Sequence, residues 1–201
     1  MKVCISGPTC SGKTYFVNGL KHDRVITYND TTREIFRQNP ALIENPLLFT
    51  TVIWHKQIEK EQNVTNTSKI VSVFDRGIID NLAFLRIYGE EKMYKSKLQE
   101  TKSMLENNEI APYDVIFYFD IEYTITELLQ NALNDTLRTL TINANYFEHH
   151  LKEFKEAFKS TAKSLNLKDK VVYLKYRSTA EEYNKRNEFV AQKIYSLLTM
   201  S

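Results

Sequence analysis

Residues 7–14, Gly-Pro-Thr-Cys-Ser-Gly-Lys-Thr, fit the pattern G-x-x-x-x-G-K-[ST], and their flanks constrain the fold as much as the motif itself does. Residues 2–6 form a short apolar stretch that predicts a buried strand, and residues 15–20 can continue as a helix. A strand, a glycine turn and a helix in that order let backbone N–H groups converge on phosphate oxygens, with the helix N-terminus adding positive potential. Gly7, Pro8, Thr9, Cys10, Ser11, Gly12, Lys13 and Thr14 are therefore candidate nucleotide-binding residues. In such a loop Lys13 reaches the β- and γ-phosphates of ATP, and the Thr14 hydroxyl is placed to ligate Mg2+.

Four further apolar runs, at 25–29, 70–74, 115–119 and 171–176, also predict buried strands. Helical patterns lie between them. Thr31 or Thr32 can cap a helix that Pro40 bounds, and Pro46 opens a longer helix through Leu48, Val52, Ile53 and Ile58. A short helix is expected over 80–88, and helical spacing recurs at 94–105 and 147–165. The last helix is expected over about 179–198, with Phe189, Ile194 and Leu197 on its apolar side. Continuous apolar strands alternating with helices imply an α/β fold, a parallel sheet covered on both faces. Ligands of such sheets bind outside the carboxyl ends of the strands. The residues expected there are the glycine loop, Asn29-Asp30, Asp75-Arg76, Asp120 and Arg177.

The run Val71-Ser-Val-Phe-Asp75-Arg76-Gly77-Ile-Ile-Asp80-Asn81-Leu-Ala-Phe carries a second signal. An apolar strand ends in an acid followed at once by arginine. Beside a phosphate loop, Asp75 can organise Mg2+ or take a proton from an attacking hydroxyl, and Arg76 can hold an acceptor phosphate or steady transferring charge. A surface Asp–Arg pair capping the next helix is the competing reading.

The bulk figures set bounds. A chain of 201 residues with 42% hydrophobic and 26% charged residues can build one domain, expected here over 1–201. The formal net charge of +2 is small for a general nucleic-acid binder. Two cysteines, Cys4 in a strand and Cys10 in the loop, have no C-x-x-C spacing and fit a reducing, cytoplasmic setting. No stretch reads as a signal peptide, and none approaches the roughly 20 apolar residues of a membrane span.

Taken together, the two motifs resemble those of P-loop nucleoside and nucleotide kinases. The closest resemblance is to the AAA-type ATPase/kinase family that includes ribosylnicotinamide kinase domains, and a more distant one is to deoxynucleoside and thymidylate kinases. It extends over nearly all of the chain. It implies a P-loop NTPase three-layer sandwich, with a five-stranded parallel sheet in the order 2-3-1-4-5 and a lid at about 131–146. It also implies an acceptor site near Asp30 and Arg33, with Phe49, Trp54 and Gln57 from the following helix and Arg76 beside them. Asp30 stands where a longer glutamate is expected. Arg138 would close from the lid as a catalytic charge clamp.

The expected activity is transfer of the γ-phosphoryl group from ATP, with Mg2+, to a small nucleoside or nucleotide. Lys13, Asp75, Arg76 and Arg138 are the catalytic candidates, and Thr14 and Asp75 the metal candidates. A homodimer is compatible with this reading. A polynucleotide 5′-hydroxyl kinase and an acceptor-independent regulatory NTPase stay open as alternatives.

Overall fold

The computed structural model describes residues 1–64, 70–122, 144–177 and 179–199, of which 144–150 by backbone alone. Strand β1 (Lys2–Ser6) leads through the glycine loop into α1 (Lys13–Gly19). Then come β2 (Val25–Tyr28), α2 (Thr31–Gln38), α3 (Pro46–Gln62), β3 (Val71–Asp75), α4 (Ile78–Tyr88) and α5 (Glu91–Glu106). They are followed by β4 (Val115–Glu122), α6 (Ala144–Ser164), β5 (Val171–Arg177) and α7 (Ala180–Leu197). Every strand pairing is parallel, and the order is β2-β3-β1-β4-β5.

The side-chain period of a strand divides the core into two layers. Cys4 faces one side, with Trp54, Ile78, Leu82, Phe154 and Phe158 from α3, α4 and α6. Val3 and Ile5 face the other, with Phe16, Val17, Val190 and Ile194 from α1 and α7. Helices on both faces bury β1 and β3 at every position, whereas the edge strands β2 and β5 are partly exposed. The result is the three-layer α/β sandwich expected.

Local chemistry fixes where the helices start. Asp30, not Thr31 or Thr32, caps α2: its Oδ1 accepts from Thr32 N at 2.9 Å. A carboxylate one residue earlier satisfies an orphan N–H and adds negative charge at the positive helix end. Asn45 caps α3 with Pro46 in the first turn. The apolar stripe of α7 keeps Ile194 and Leu197 against the core, as expected, and departs from the expectation at Phe189. Arg186, Val190 and Ile194, spaced by four, face the sheet, and Phe189 is 41% exposed.

A buried polar network runs behind the end of β3. Glu61 Oε2 pairs with Lys2 Nζ at 2.7 Å, both side chains at most 1% exposed. Glu61 Oε1 accepts from Gln57 Nε2 at 2.8 Å, from Ile78 N at 2.8 Å and from Tyr113 OH at 2.6 Å. One carboxylate thus ties the first strand, α3 and the start of α4 together. Glu61→Ala would leave the Lys2 ammonium buried without its partner. It is expected to cost about 3–5 kcal/mol of unfolding free energy in a urea titration.

Candidate functional site

The loop between β1 and α1 turns through three left-handed residues, Gly7 (φ 135°), Cys10 (φ 65°) and Gly12 (φ 76°). Such alternation turns backbone N–H groups toward one concavity, the geometry that receives phosphate. Lys13, 5% exposed, folds into this loop, its ammonium donating to Pro8 O at 2.5 Å and Ser11 Oγ at 3.1 Å. The loop is held from beneath by distant residues. Tyr176 OH donates to Ser11 O at 2.6 Å, Arg186 Nη1 donates to the same oxygen at 2.9 Å, and Tyr183 OH donates to Gly12 O at 3.1 Å. A Cβ on Gly12 would stand 1.9 Å from Tyr183 OH. Gly12→Ala therefore adds a clash to a left-handed backbone. It is expected to lower stability by about 1–3 kcal/mol and to weaken nucleotide binding, as thermal melts with and without ADP will read.

Asp75 ends β3 directly beside this loop. Its Oδ2 accepts from the Thr14 hydroxyl at 2.5 Å, and the residue is 1% exposed. Burial pushes its carboxyl above the ordinary carboxylate range, and the nearby Asp30 charge adds to this. Lys13, the Thr14 hydroxyl and Arg76 pull it back. Among the described residues, Asp75 Oδ1 is buried without a hydrogen-bond partner. A buried acceptor left unsatisfied is costly, and a divalent cation held between Asp75 and Thr14 would satisfy it. These two residues therefore fit Mg2+. No group of three His, Cys, Asp or Glu among the described residues converges on a metal position. Mg2+ needs none, since it keeps waters and phosphate oxygens as ligands beside one or two protein groups.

Arg76 occupies the left-handed region at φ 69°, and its 5% exposure sets the guanidinium inside the cluster. Nη1 donates to Gly7 O at 3.2 Å and lies 3.5 Å from Asp80 Oδ1, while Nε lies 3.4 Å from Asp30 Oδ2. The guanidinium also sits 4.9 Å from the Phe84 ring centre and 5.6 Å from that of Phe154. Asp80, fully buried, accepts from Ser6 Oγ at 2.6 Å and Gly77 N at 3.0 Å. Burial raises its carboxyl too, against the pull of Arg76 and these hydrogen bonds.

A family model described as "AAA domain" matches residues 2–166, well over half of the chain. The chain belongs to the AAA domain family. This is the direction in which the two motifs pointed. Among curated proteins, none matches. Solved structures share the fold of this AAA domain. One is the NadR protein in complex with NR, with a TM-score of 0.69 and 15% identity over 98% of this chain; the chain spans only 50% of that one. Another is deoxyadenosine kinase from M. mycoides with the products dCMP and a flexible dCDP bound, with a TM-score of 0.60 and 15% identity. The same enzyme with bound dCTP gives 0.58 and 14%, and this chain covers 98% of itself and 100% of the kinase in both.

The AAA domain gathers Gly7–Thr14, Asp30, Asp75 and Arg76 into one cluster and places the remaining sequence candidates differently. Arg33 is half-buried on α2. Trp54 is fully buried, its Nε1 donating to Thr101 Oγ1 at 3.1 Å and its ring 4.1 Å from Lys97 Nζ, so it presents no face to a ligand. Its place on α3 points it into the layer beneath the sheet. Gln57, 1% exposed, lies behind Arg76: its Oε1 accepts from Thr31 Oγ1, and its Nε2 lies 3.5 Å from Arg76 O. Arg138 and most of the expected lid lie outside the described residues. Asp120 lies within β4, two residues before its end, and pairs with Lys155 at 2.8 Å.

Two features, Phe49 apart, escaped the sequence reading. One is a cavity of about 350 Å³ between α3 and α4, lined by Phe49, Thr50, Ile53, Asn81, Phe84 and Tyr88 among others. Asn81 Nδ2 is buried there without a hydrogen-bond partner among the described residues. The other is Arg186 beneath the loop. A lone arginine spaced by four from Val190 and Ile194 on an apolar stripe was the available signal for it.

Proposed function

We propose that this protein transfers the γ-phosphoryl group of ATP to a hydroxyl group of a nucleoside. The observation that carries this is the position of Asp75. Its buried carboxylate touches Thr14 of the phosphate loop on one side, and Asp30 and Arg76 lie on the other. Phosphoryl transfer asks a protein mainly for positioning and charge stabilisation. The loop and Lys13 hold the donor phosphates. Thr14 and Asp75 would hold Mg2+, which would supply charge neutralisation for the donor phosphates. Asp75 or Asp30 accepts the proton of the attacking hydroxyl, and Arg76 fixes its approach.

The charge balance favours a neutral acceptor over a monophosphate. In the described cluster, three carboxylates, Asp30, Asp75 and Asp80, face two cations, Lys13 and Arg76. Arg76 is already engaged by Asp30, Asp80 and the Gly7 carbonyl, so an anionic acceptor meets carboxylates first. The cavity beyond Phe84 adds an aromatic wall and the Asn81 amide donor, suited to a planar heterocycle.

An acceptor screen with γ-labelled ATP and Mg2+ tests this. It pairs nucleosides, deoxynucleosides, ribosylnicotinamide, monophosphates and a 5′-hydroxyl oligonucleotide. Label on a nucleoside is the expected result. Label on monophosphates alone overturns the charge argument, label on the oligonucleotide alone makes the protein a polynucleotide kinase, and label appearing only as free phosphate makes it an NTPase.

A further inference from the structure

In-line transfer puts the acceptor and the donor's leaving group on opposite sides of the γ-phosphate. The acidic cluster and Arg76 stand at the ends of β2 and β3, on one side of β1. The nucleoside end of the donor must then leave the loop on the other side, where β4 and β5 lie. That side carries a ladder of aromatic rings around one guanidinium. The Arg186 guanidinium carbon lies 3.9 Å from the Phe119 ring centre, 4.3 Å from that of Tyr176 and 4.2 Å from that of Tyr183. Tyr183 in turn meets Tyr15, with ring centres 5.9 Å apart and planes tilted by 58°. Tyr15 is the residue after Thr14, and at 73% it is the most exposed large apolar side chain described. Its contact with Tyr183 leaves most of the ring open to solvent at the margin of the phosphate loop.

We propose that Tyr15 and Tyr183 form the stacking platform for the base of the nucleotide donor, with Arg186 tying that platform to the loop. This rests on the nucleotide-binding part of the function proposed above and adds where the base goes. Three contacts make the platform and the phosphate cradle one rigid unit. Tyr183 donates to Gly12 O, Arg186 donates to Ser11 O, and Tyr176 donates to the same Ser11 oxygen. A base laid on the ring of Tyr15 gains π-face contact at a point fixed relative to the phosphates. Arg186 has a double part: it carries a buried positive charge under the loop and stiffens the rings that flank it.

Calorimetric titration without any acceptor tests the platform, using ADP and inorganic tripolyphosphate as separate probes, each with Mg2+. Tyr15→Ala is expected to weaken ADP binding by about tenfold, the scale of one base–aromatic stack, and to leave tripolyphosphate within about twofold. Tyr15→Phe, which keeps the ring, is expected to retain ADP affinity. Equal weakening of both probes would make Tyr15 a support of the loop and overturn the platform, as would unchanged ADP binding in Tyr15→Ala. ADP binding that depends on Tyr15 in a protein that phosphorylates no acceptor would leave the platform standing and remove only the kinase reading. A wild-type protein that binds neither probe would overturn both.

Discussion

Lys13→Ala is expected to lower phosphoryl transfer by about 10³-fold or more, the upper range for removing one preorganised charge-stabilising donor, while the protein stays folded. The Lys13 ammonium lies inside the loop against Pro8 O and Ser11 Oγ, so it is already among the atoms that would surround the donor phosphates. Among the described residues, few other cations can replace it there. Arg76 is held by Asp30 and Asp80, and Arg186 lies beneath the loop with its guanidinium among three rings. Single-turnover rates with saturating ATP, beside a circular dichroism spectrum, check both halves of the expectation. A variant that turns over near the wild-type rate would remove the phosphate loop from the chemistry.

Asp75→Asn is expected to do two opposite things. Turnover should fall by about 10²-fold or more, the scale for a positioned acid or base, since the amide neither takes a proton nor binds Mg2+ as a carboxylate does. Thermal stability at pH 7 should rise. The sign follows from burial, which raises the Asp75 carboxyl in the folded protein above its unfolded value, with Asp30 adding to it. A group raised in this way contributes its stability below the unfolded pKa and loses it as pH rises through the folded one. At neutral pH the ionised carboxylate is therefore a cost that the amide lacks. Melting curves of the two proteins should converge as the pH falls through the folded pKa. A variant of unchanged kcat with weaker ATP binding would make Asp75 a binding residue only.

Most of the fold was legible because its signals are local. The β1 run is apolar from end to end, and helices cover both of its faces. Pro46 and Asn45 mark the start of α3 by their own chemistry. The loop was legible because Gly7 and Gly12 occupy backbone conformations that few other residues tolerate. The acceptor side was harder to read. Trp54 and Gln57 share α3 with Phe49 and Thr50, but only the last two line the cavity. Which face of a helix turns inward depends on what it packs against. Here Trp54 packs into the cluster built by α4 and Tyr113, and Gln57 is drawn inward by Thr31, Glu61 and the Arg76 carbonyl. Asp80 and Asn81 stood in plain view within the second motif. Their roles needed the position of Arg76, and a left-handed arginine after a strand is not written in composition or periodicity.

The contacts that fasten the loop also bear on how the chain folds. Ser11 O waits for Tyr176, 165 residues later, and for Arg186, 175 residues later, and Gly12 O waits for Tyr183 across 171 residues. These closures are among the most distant a chain of 201 residues can make, and long closures form late and slowly. The motif nearest the start of the chain is thus completed by the helix nearest its end. Nucleotide affinity becomes a report on completed folding, because a chain that has built β1 to β4 but not docked α7 has the glycines without their anchors. Bound nucleotide stabilises only the finished state. During refolding, the recovery of ADP binding should therefore lag behind the recovery of helical signal.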